Sequence, residues 1–180
     1  DKGAYVASLN NIIMDVAIGD FDSIETEMME TIKDHSKKII KLNSIKDFTD
    51  TNEALALCDP SDEIIILGGI QGKRIEHFYA NILELKRNPN LKMLDDYSLI
   101  ETKNQSFKPN MDYKYISFFS LEEDSIISLS GFSYNLDNYS LKENDPLCIS
   151  NEINTNNPFV EIKKGRLLVI YTKEDHNKEY

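Results

Sequence analysis

The hydrophobic positions of this chain recur with two different periods, and the change falls near residue 95. Up to residue 94, segments of helical period alternate with short apolar runs. Helices are predicted at 3–10, 24–35, 51–58 and 74–86. Extended segments are predicted at 15–18, 38–42 and 64–67. Because strands and helices alternate, this half is predicted to be α/β with a mainly parallel sheet.

The segment Ile64–Leu67 is apolar at every position and ends at Gly68. Such a run is typical of a strand that is buried on both faces of a parallel sheet. The helix predicted at 51–58, which precedes this strand, can be capped by Asp50 or Thr51. The side-chain oxygens of these residues can accept hydrogen bonds from the first turn of the helix.

Beyond residue 95, apolar and polar positions alternate over short segments. Strands are predicted at 97–102, 113–119, 125–129, 160–162 and 167–171. Turn residues separate them, for example at 108–110 and 136–138. This pattern is typical of an antiparallel β-sandwich or roll. We therefore expect an α/β domain over 1–95 and an all-β domain, an antiparallel β-sandwich, over 96–180.

Composition narrows the class of protein. With 180 residues and 41% hydrophobic content, the chain can form one domain or two small ones with a buried core. No apolar run reaches the roughly 18–20 residues that a membrane span requires. The net charge is −11 and no basic stripe is present. We therefore expect binding to neither nucleic acid nor a membrane.

The two cysteines, Cys58 and Cys148, are far apart and have no CxxC spacing. This pattern supports neither a zinc site nor a disulfide framework. We expect both to be free, buried thiols in a protein of the reducing cytoplasm.

The first chemically suggestive segment is GDFDS at 19–23, directly after a predicted strand. Ligands of open α/β sheets bind beyond the carboxyl ends of the strands. Gly19 allows the loop to curl so that Asp20 and Asp22 face one site, and carboxylate oxygens suit magnesium. The alternative is a solvent-exposed turn in which Ser23 caps the next helix.

KDFTD at 46–50 repeats this arrangement after the next predicted strand, with Asp47 and Asp50. Asp50 alone is equally well explained by helix capping, since a carboxylate is favoured at a helix N-terminus. Two such segments after neighbouring strands would converge at one edge of the sheet, and that convergence favours a metal site.

GGIQGKRIEH at 68–77 lies between a predicted strand and a predicted helix. Gly69 and Gly72 allow the backbone to approach a ligand closely, and Lys73 and Arg74 supply donors, as in a phosphate-binding turn. Neither GxxxxGK[ST] nor GxGxxG is present. A glycine turn between strand and helix is also common for structural reasons alone, and Arg74 can instead form a surface ion pair.

In this order and spacing, the three segments resemble those of the thiamine pyrophosphokinase family. Further segments resemble the same family: DKGA at 1–4, GFSYNL at 131–136 and ISNE at 149–152. The resemblance covers nearly the whole chain. It implies an N-terminal α/β half that binds ATP, a C-terminal β-sandwich half, and a homodimer whose thiamine sites lie near the interface.

The resemblance also implies a reaction, the transfer of a pyrophosphoryl group from ATP to the thiamine hydroxyl, which gives thiamine diphosphate and AMP. The cofactor would be Mg²⁺, held by Asp20, Asp22 and Asp50. The catalytic residues would be Asp22, Asp50, Arg74 and Glu76, with Asp22 preferred as the base. Contacts to the nucleotide or to thiamine would come from Asp1, Lys46, Asp47, Thr49, Gly69, Gly72, Lys73, Arg74, Ser150 and Asn151.

Some positions depart from the family's pattern. Glu76 stands where Asp is usual, and Lys73 stands where a small residue is common. The first strand of the family's fold, expected before Asp1, is missing, which we expect to reflect trimming of the chain. Because the sequence has no Trp, any ring stacked on thiamine must be Phe, Tyr or His.

Two alternatives stay open at this point. One is a related pyrophosphokinase for another hydroxymethyl heterocycle, such as a pterin, which only the acceptor pocket would distinguish. The other is a non-catalytic nucleotide-binding module that kept the fold. The presence of Asp20, Asp22, Asp50 and Arg74 argues against this second alternative.

Overall fold

The computed structural model describes residues 1–45, 47–59, 61–72 and 74–174. Within these ranges the chain folds into four helices and eleven strands, which confirms the predicted mixed α/β class. The chain forms two compact units, residues 1–59 and 60–180.

The described part of the first unit contains five elements, each within three residues of its predicted ends. They are α1 (Lys2–Leu9), β1 (Ala17–Gly19), α2 (Thr26–Asp34), β2 (Ile39–Lys41) and α3 (Asp50–Leu55). Strands β1 and β2 pair in parallel, with Ala17 opposite Ile39. Helix α1 packs against α2, and α3 packs against β1. Because β1 ends at Gly19, the GDFDS loop begins at the carboxyl end of this strand.

Helix α3 is capped by Thr49, so the prediction of Asp50 or Thr51 as the N-cap was wrong. The Thr49 hydroxyl accepts a hydrogen bond from the backbone N–H of Asn52, and the Asn52 side chain accepts one from the backbone N–H of Thr49. This reciprocal pair satisfies two backbone donors at once. Asp50 is consequently the first helical residue, and capping does not require its carboxylate.

The second unit contains one helix and nine strands in its described part. In order they are β3 (Ile64–Leu67), α4 (Ile75–Arg87), β4 (Leu91–Leu94), β5 (Ser98–Lys103), β6 (Tyr115–Ser120), β7 (Asp124–Ser130), β8 (Leu136–Lys142), β9 (Asn151–Glu152), β10 (Phe159–Lys164) and β11 (Leu167–Thr172). Six strands form one sheet in the order β3-β4-β5-β11-β6-β9, in which only β3 and β4 pair in parallel. The other three strands form a second, antiparallel sheet in the order β10-β7-β8.

The core of this unit is a cluster of apolar side chains contributed by both sheets. Phe118 and Val169 come from the six-stranded sheet, and Ile127 and Leu141 come from the three-stranded sheet. Phe132 lies between strands and meets Phe118 edge to face, with ring centroids 5.9 Å apart. The segment 131–136, which carries Phe132, is therefore anchored in the core.

Three strands were not predicted: β4, β8 and β9. The start of β8 was predicted as a turn, and its residues do bend locally. Asn138 has a left-handed φ of +48°, and the pairing with β7 shifts register between Ile127 and Leu129. A β-bulge accounts for both observations, because the extra residue bends the strand without ending it.

Burial also differs from prediction at several positions. Ile65 and Leu67 are exposed, so β3 is not buried on both faces. Cys58 is exposed, whereas Cys148 is buried as expected. The six-stranded sheet joins strands from both sides of residue 95, through the pairing of β4 with β5. The domain boundary near residue 95 stays a prediction.

Candidate active site

Three carboxylates of the first unit converge beside the end of β1. Asp1, Asp20 and Asp22 each offer an oxygen atom, and these atoms all lie within 4.8 Å of one another. Two of the three belong to the predicted metal set, and Asp1 is an addition to it. A set of closely spaced carboxylate oxygens is the kind of donor set that Mg²⁺ prefers.

The backbone of the GDFDS loop is turned so that its two aspartates can meet. Phe21, between them, has a left-handed φ of +57°, which is rare for a bulky residue and costs conformational energy. The backbone N–H of Phe21 donates to Oδ1 of Asp1 (3.2 Å), and that of Asp22 donates to Oδ1 of Asp20 (3.3 Å). The strained turn is thus fixed by two of the carboxylates that it brings together.

Asp50 lies next to this cluster. Its Oδ2 is 3.8 Å from the backbone nitrogen of Asp1. A Cβ atom added to Gly19 would lie 3.3 Å from the same oxygen. Gly19 therefore has Asp1 and Asp50 as close neighbours, and the predicted convergence of GDFDS with KDFTD is observed. Asp47 is exposed in the loop before α3.

Residue 19 has to be glycine for this packing. A Cβ atom there would lie 1.8 Å from Oδ1 of Asp1, far inside van der Waals contact. From the sequence, Gly19 was expected to allow the loop to curl. In the structure Gly19 ends β1, and its importance lies in leaving room for the Asp1 carboxylate. The three clustered carboxylates, with Asp50 beside them, offer the hard oxygen donors that Mg²⁺ prefers.

The glycine turn of the second unit is anchored to α4. Gly68 and Gly69 have left-handed φ values of +80° and +73°. The carbonyl of Gly69 accepts a hydrogen bond from Nδ2 of Asn81 (3.2 Å), a buried residue of α4. Gln71 donates to Oδ2 of Asp95 (3.1 Å). The turn is therefore held at two points.

At Gly72, the other glycine predicted to approach a ligand, the geometry does not require glycine. It has no positive φ, and in the described part of the chain no atom lies within 4 Å of a Cβ added there. Lys46 and Lys73, two predicted ligand contacts, lie outside the described residues.

Arg74 and Glu76 form an ion pair at the start of α4. Nε of Arg74 donates to Oε1 of Glu76 at 2.7 Å, and both side chains are largely exposed. This hydrogen bond, together with the backbone N–H of Glu76 itself, holds the pKa of the Glu76 carboxyl below its usual value. The predicted alternative of a surface ion pair is therefore observed, and the pair orients the guanidinium. His77, the next residue of α4, is exposed.

A pocket of about 410 Å³ opens within the second unit, between the segments at 131–136 and 149–152. Tyr134 stands in its lining with 73% of its surface exposed, alongside the apolar side chains of Leu147 and Ile149. The buried thiol of Cys148 also lines the pocket. Burial first, and the nearby Asp145 carboxylate second, raise its pKa to about 11, so the thiol is protonated at neutral pH.

Ser150 and Asn151, two predicted ligand contacts, differ sharply in exposure. Ser150 is exposed and has a left-handed φ of +55°, and its backbone N–H donates to Oγ of Ser117. Asn151 is 3% exposed, and its side chain is hydrogen bonded to the backbone of Tyr134. The structure thus places Ser150 at the surface and Asn151 beneath the Tyr134 loop.

Comparison with known proteins identifies the family. The family model "Thiamin pyrophosphokinase, catalytic domain" matches residues 1–94, and the model "Thiamin pyrophosphokinase, vitamin B1 binding domain" matches residues 104–167. The chain belongs to the thiamine pyrophosphokinase family. The carboxylate cluster and the glycine turn fall in the first matched region, and the pocket falls in the second.

Individual relatives agree with this result. The thiamine pyrophosphokinase of Bacillus subtilis is 31% identical over 94% of this chain and 84% of its own length. The crystal structure of the thiamine pyrophosphokinase from Bacillus subtilis superposes with a TM-score of 0.84 at 30% identity, over 97% of this chain and 86% of the other. A thiamin pyrophosphokinase family protein from Enterococcus faecalis gives 0.81 at 26% identity, over 97% and 87%.

The family resemblance that the sequence motifs predicted is therefore confirmed. None of the helices in the described part of the chain has both the length and the apolar character that crossing a membrane requires.

Proposed function

We propose that this chain catalyses the ATP-dependent transfer of a pyrophosphoryl group to the hydroxyl of thiamine, with thiamine diphosphate and AMP as products. The observation that carries this proposal is the match of both family regions, catalytic and vitamin B1-binding, in order along one chain. The geometry supports it independently, since the first region contains a cluster of carboxylates and the second contains a pocket of ligand size.

We assign the metal to the carboxylates around Gly19. Asp20 and Asp22 were predicted as ligands with Asp50, and the structure supports the addition of Asp1. Mg²⁺ bound there with ATP would neutralise negative charge on the phosphate oxygens. The carboxylates themselves would fix the position of the metal–nucleotide complex relative to the end of β1, so that one orientation of the phosphate chain is favoured.

We assign phosphate binding to the glycine turn and the start of α4. Backbone N–H groups at a helix N-terminus favour an anion, and α4 is thirteen residues long. Arg74 extends from this end of the helix with its guanidinium oriented by Glu76. Predicted contacts from Lys46, Asp47, Thr49 and Lys73 stay part of this proposal. Thr49 has a second role, because its hydroxyl already caps α3.

We assign thiamine to the pocket between 131–136 and 149–152. Its volume of about 410 Å³ lies within the range of roughly 300–1,000 Å³ that is usual for small-molecule sites. Thiamine is an aromatic cation, and such a ligand is well matched to an exposed aromatic ring. Tyr134 is the aromatic residue in the pocket lining, and we therefore propose it as the ring that stacks on thiamine, for which the sequence allowed Phe, Tyr or His.

The chemical step would then follow from positioning. The thiamine hydroxyl oxygen forms a bond to the β-phosphorus, and the bond from that phosphorus to the oxygen bridging it to the α-phosphorus breaks, so AMP leaves. A carboxylate accepts the hydroxyl proton, and Asp22 is our choice because its side chain is exposed at the cluster. Arg74 would offset the charge that builds on the leaving oxygen.

Three further parts of the proposal come from the family. They are nucleotide binding by the N-terminal half with its parallel strands, a β-sandwich fold for the C-terminal half, and assembly as a homodimer. The sharing of one apolar cluster by the two sheets of the second unit supports the sandwich description. A cytoplasmic location is proposed from the two free cysteines.

Calorimetric titration with an ATP analogue that carries a methylene bridge between the α- and β-phosphorus atoms tests the nucleotide site without turnover. We expect binding that requires Mg²⁺ and is lost in the double variant Asp20→Asn/Asp22→Asn. The control Asp34→Asn, at the end of α2, should bind normally. Equal binding by the double variant and the control would remove the carboxylate cluster from the nucleotide site.

A further inference from the structure

The side chain of Asn151 is paired with the backbone of Tyr134. Nδ2 of Asn151 donates to the carbonyl oxygen of Tyr134 (2.8 Å), and Oδ1 accepts from the backbone N–H of Tyr134 (3.0 Å). Oδ1 also accepts a hydrogen bond from the backbone N–H of Glu152 (3.0 Å), so the Asn151 side chain makes three hydrogen bonds in all. The amide therefore pairs with Tyr134 as a neighbouring strand would, through one donor and one acceptor.

Burial strengthens this pairing. Asn151 is 3% exposed, so water competes little for its amide. A buried polar group that loses its partner has given up its hydration without a compensating hydrogen bond, and this raises the free energy of any arrangement in which the pair is broken. Two further hydrogen bonds hold the same loop. The backbone N–H of Ser133 donates to the Glu152 carbonyl, and the backbone N–H of Phe132 donates to Oδ1 of Asn135.

The two residues differ completely in what they present to the pocket. Tyr134 is 73% exposed, so its ring has little packing of its own to fix it. The position of the Tyr134 backbone, and with it the direction in which the ring leaves the loop, therefore depends on the two hydrogen bonds with Asn151. Asn151 reaches the pocket lining, but Oδ1 already accepts two hydrogen bonds and Nδ2 donates one within the protein.

We propose that Asn151 is a positioning residue for thiamine, which acts by holding Tyr134 in the orientation that stacks on the ligand. This inference rests on the proposed function, in which the pocket takes thiamine. It replaces the direct ligand contact that the sequence predicted for Asn151 with an indirect role through one named aromatic residue.

A double-mutant cycle tests this role. Tyr134→Ala, Asn151→Ala and the double variant are compared by steady-state kinetics with thiamine varied at saturating ATP, and then with ATP varied. We expect each single variant to raise the KM for thiamine about tenfold, while kcat and the KM for ATP change little. In the double variant the KM should match that of Tyr134→Ala, because the second change has nothing left to position.

Tyr134→Phe and Asn154→Ala serve as controls. Tyr134→Phe keeps the ring, so Asn151→Ala should still raise the KM about tenfold on that background. Asn154 is exposed in the following turn and lies outside this pocket, so its replacement should leave the KM for thiamine unchanged. If thermal melting shows that Asn151→Ala is unfolded, Asn151→Asp takes its place in the cycle. It keeps the size and the acceptor but loses the donor to the Tyr134 carbonyl.

The outcomes separate the inference from the proposed function. If the two single effects multiply in the double variant, Asn151 contacts the ligand by itself and the positioning role is wrong, while the pocket assignment stands. If Tyr134→Ala leaves the KM for thiamine unchanged in an active enzyme, the pocket is not the thiamine site, and the assignment and the inference both fail.

Discussion

The carboxylate of Asp1 occupies the space that a side chain at Gly19 would need. A Cβ atom at residue 19 would lie 1.8 Å from Oδ1 of Asp1, and the same oxygen accepts a hydrogen bond from the backbone N–H of Phe21. The Asp1 side chain is in this way held against the end of β1, directly before Asp20 and Asp22. The metal-binding role proposed for these carboxylates depends on that close approach.

Gly19→Ala should therefore disable the site. The added methyl would displace the Asp1 carboxylate by more than an ångström, and a misplacement of about 1 Å can lower turnover about 10²-fold. Turnover measured against Mg²⁺ concentration should show this loss together with a higher metal requirement. Gly3→Ala is the matched control, because no atom lies within 4 Å of a Cβ there. Equal activity of the two variants would contradict the proposed role of the Asp1 approach.

Asp22→Asn should abolish turnover and leave the fold intact. Asp22 is exposed, so losing its charge removes a ligand and the proposed base at little structural cost. Product formation and thermal melting measured on the same sample check both parts. Asp1→Asn should lower turnover as well, since its oxygen lies within 4.8 Å of the other two. Near-normal turnover of Asp22→Asn would remove this residue from the site.

Asn81→Leu should loosen the glycine turn. The buried side chain of Asn81 donates to the Gly69 carbonyl, and leaving that carbonyl without a partner costs about 1–3 kcal/mol. We expect the KM for ATP to rise several-fold, with a smaller effect on the KM for thiamine. Lys86→Ala, an exposed change on the same helix, is the control. A variant whose ATP kinetics match this control would show that the turn does not depend on Asn81.

Much of the fold could be predicted because short apolar runs and helical periods are local signals. The elements of the first unit lie within three residues of their predicted ends for that reason. Strand β8 was missed because Asn138 looks like a turn residue, and only its partner strand reveals that the bend is a bulge. The exposure of Ile65 and Leu67 likewise depends on what covers the strand, which an apolar run does not specify.

The candidate site was predicted in its residue types but not in its contacts. Asp20, Asp22 and Asp50 could be proposed as a metal set from motif order. The inclusion of Asp1 in that set could not, because Asp1 lies nineteen positions before Asp20 in the sequence and its approach depends on the packing at Gly19. The pairing of Asn151 with Tyr134 spans seventeen residues, and no local pattern indicates which of two neighbouring polar residues turns inward.

The two cysteines should differ in reactivity. Burial and Asp145 raise the pKa of Cys148 to about 11, and the thiolate is the reactive form. At pH 8 an alkylating reagent should modify the exposed Cys58 and leave Cys148 unmodified. Because the folded-state pKa is raised, Cys148 should become reactive only as the pH approaches about 11 or when the protein unfolds. Peptide mapping by mass spectrometry checks this, and rapid labelling of Cys148 at pH 8 in folded protein would contradict it.

The most direct test of the account is product analysis by mass spectrometry. The purified chain is incubated with thiamine, ATP and Mg²⁺, with parallel samples that contain EDTA or a pterin alcohol in place of thiamine. We predict thiamine diphosphate and AMP in equal amounts, no product with EDTA, and no reaction of the pterin alcohol. Thiamine monophosphate with ADP would contradict the account, because attack would then occur at the γ-phosphorus. Pyrophosphorylation of the pterin alcohol alone would contradict the assigned acceptor.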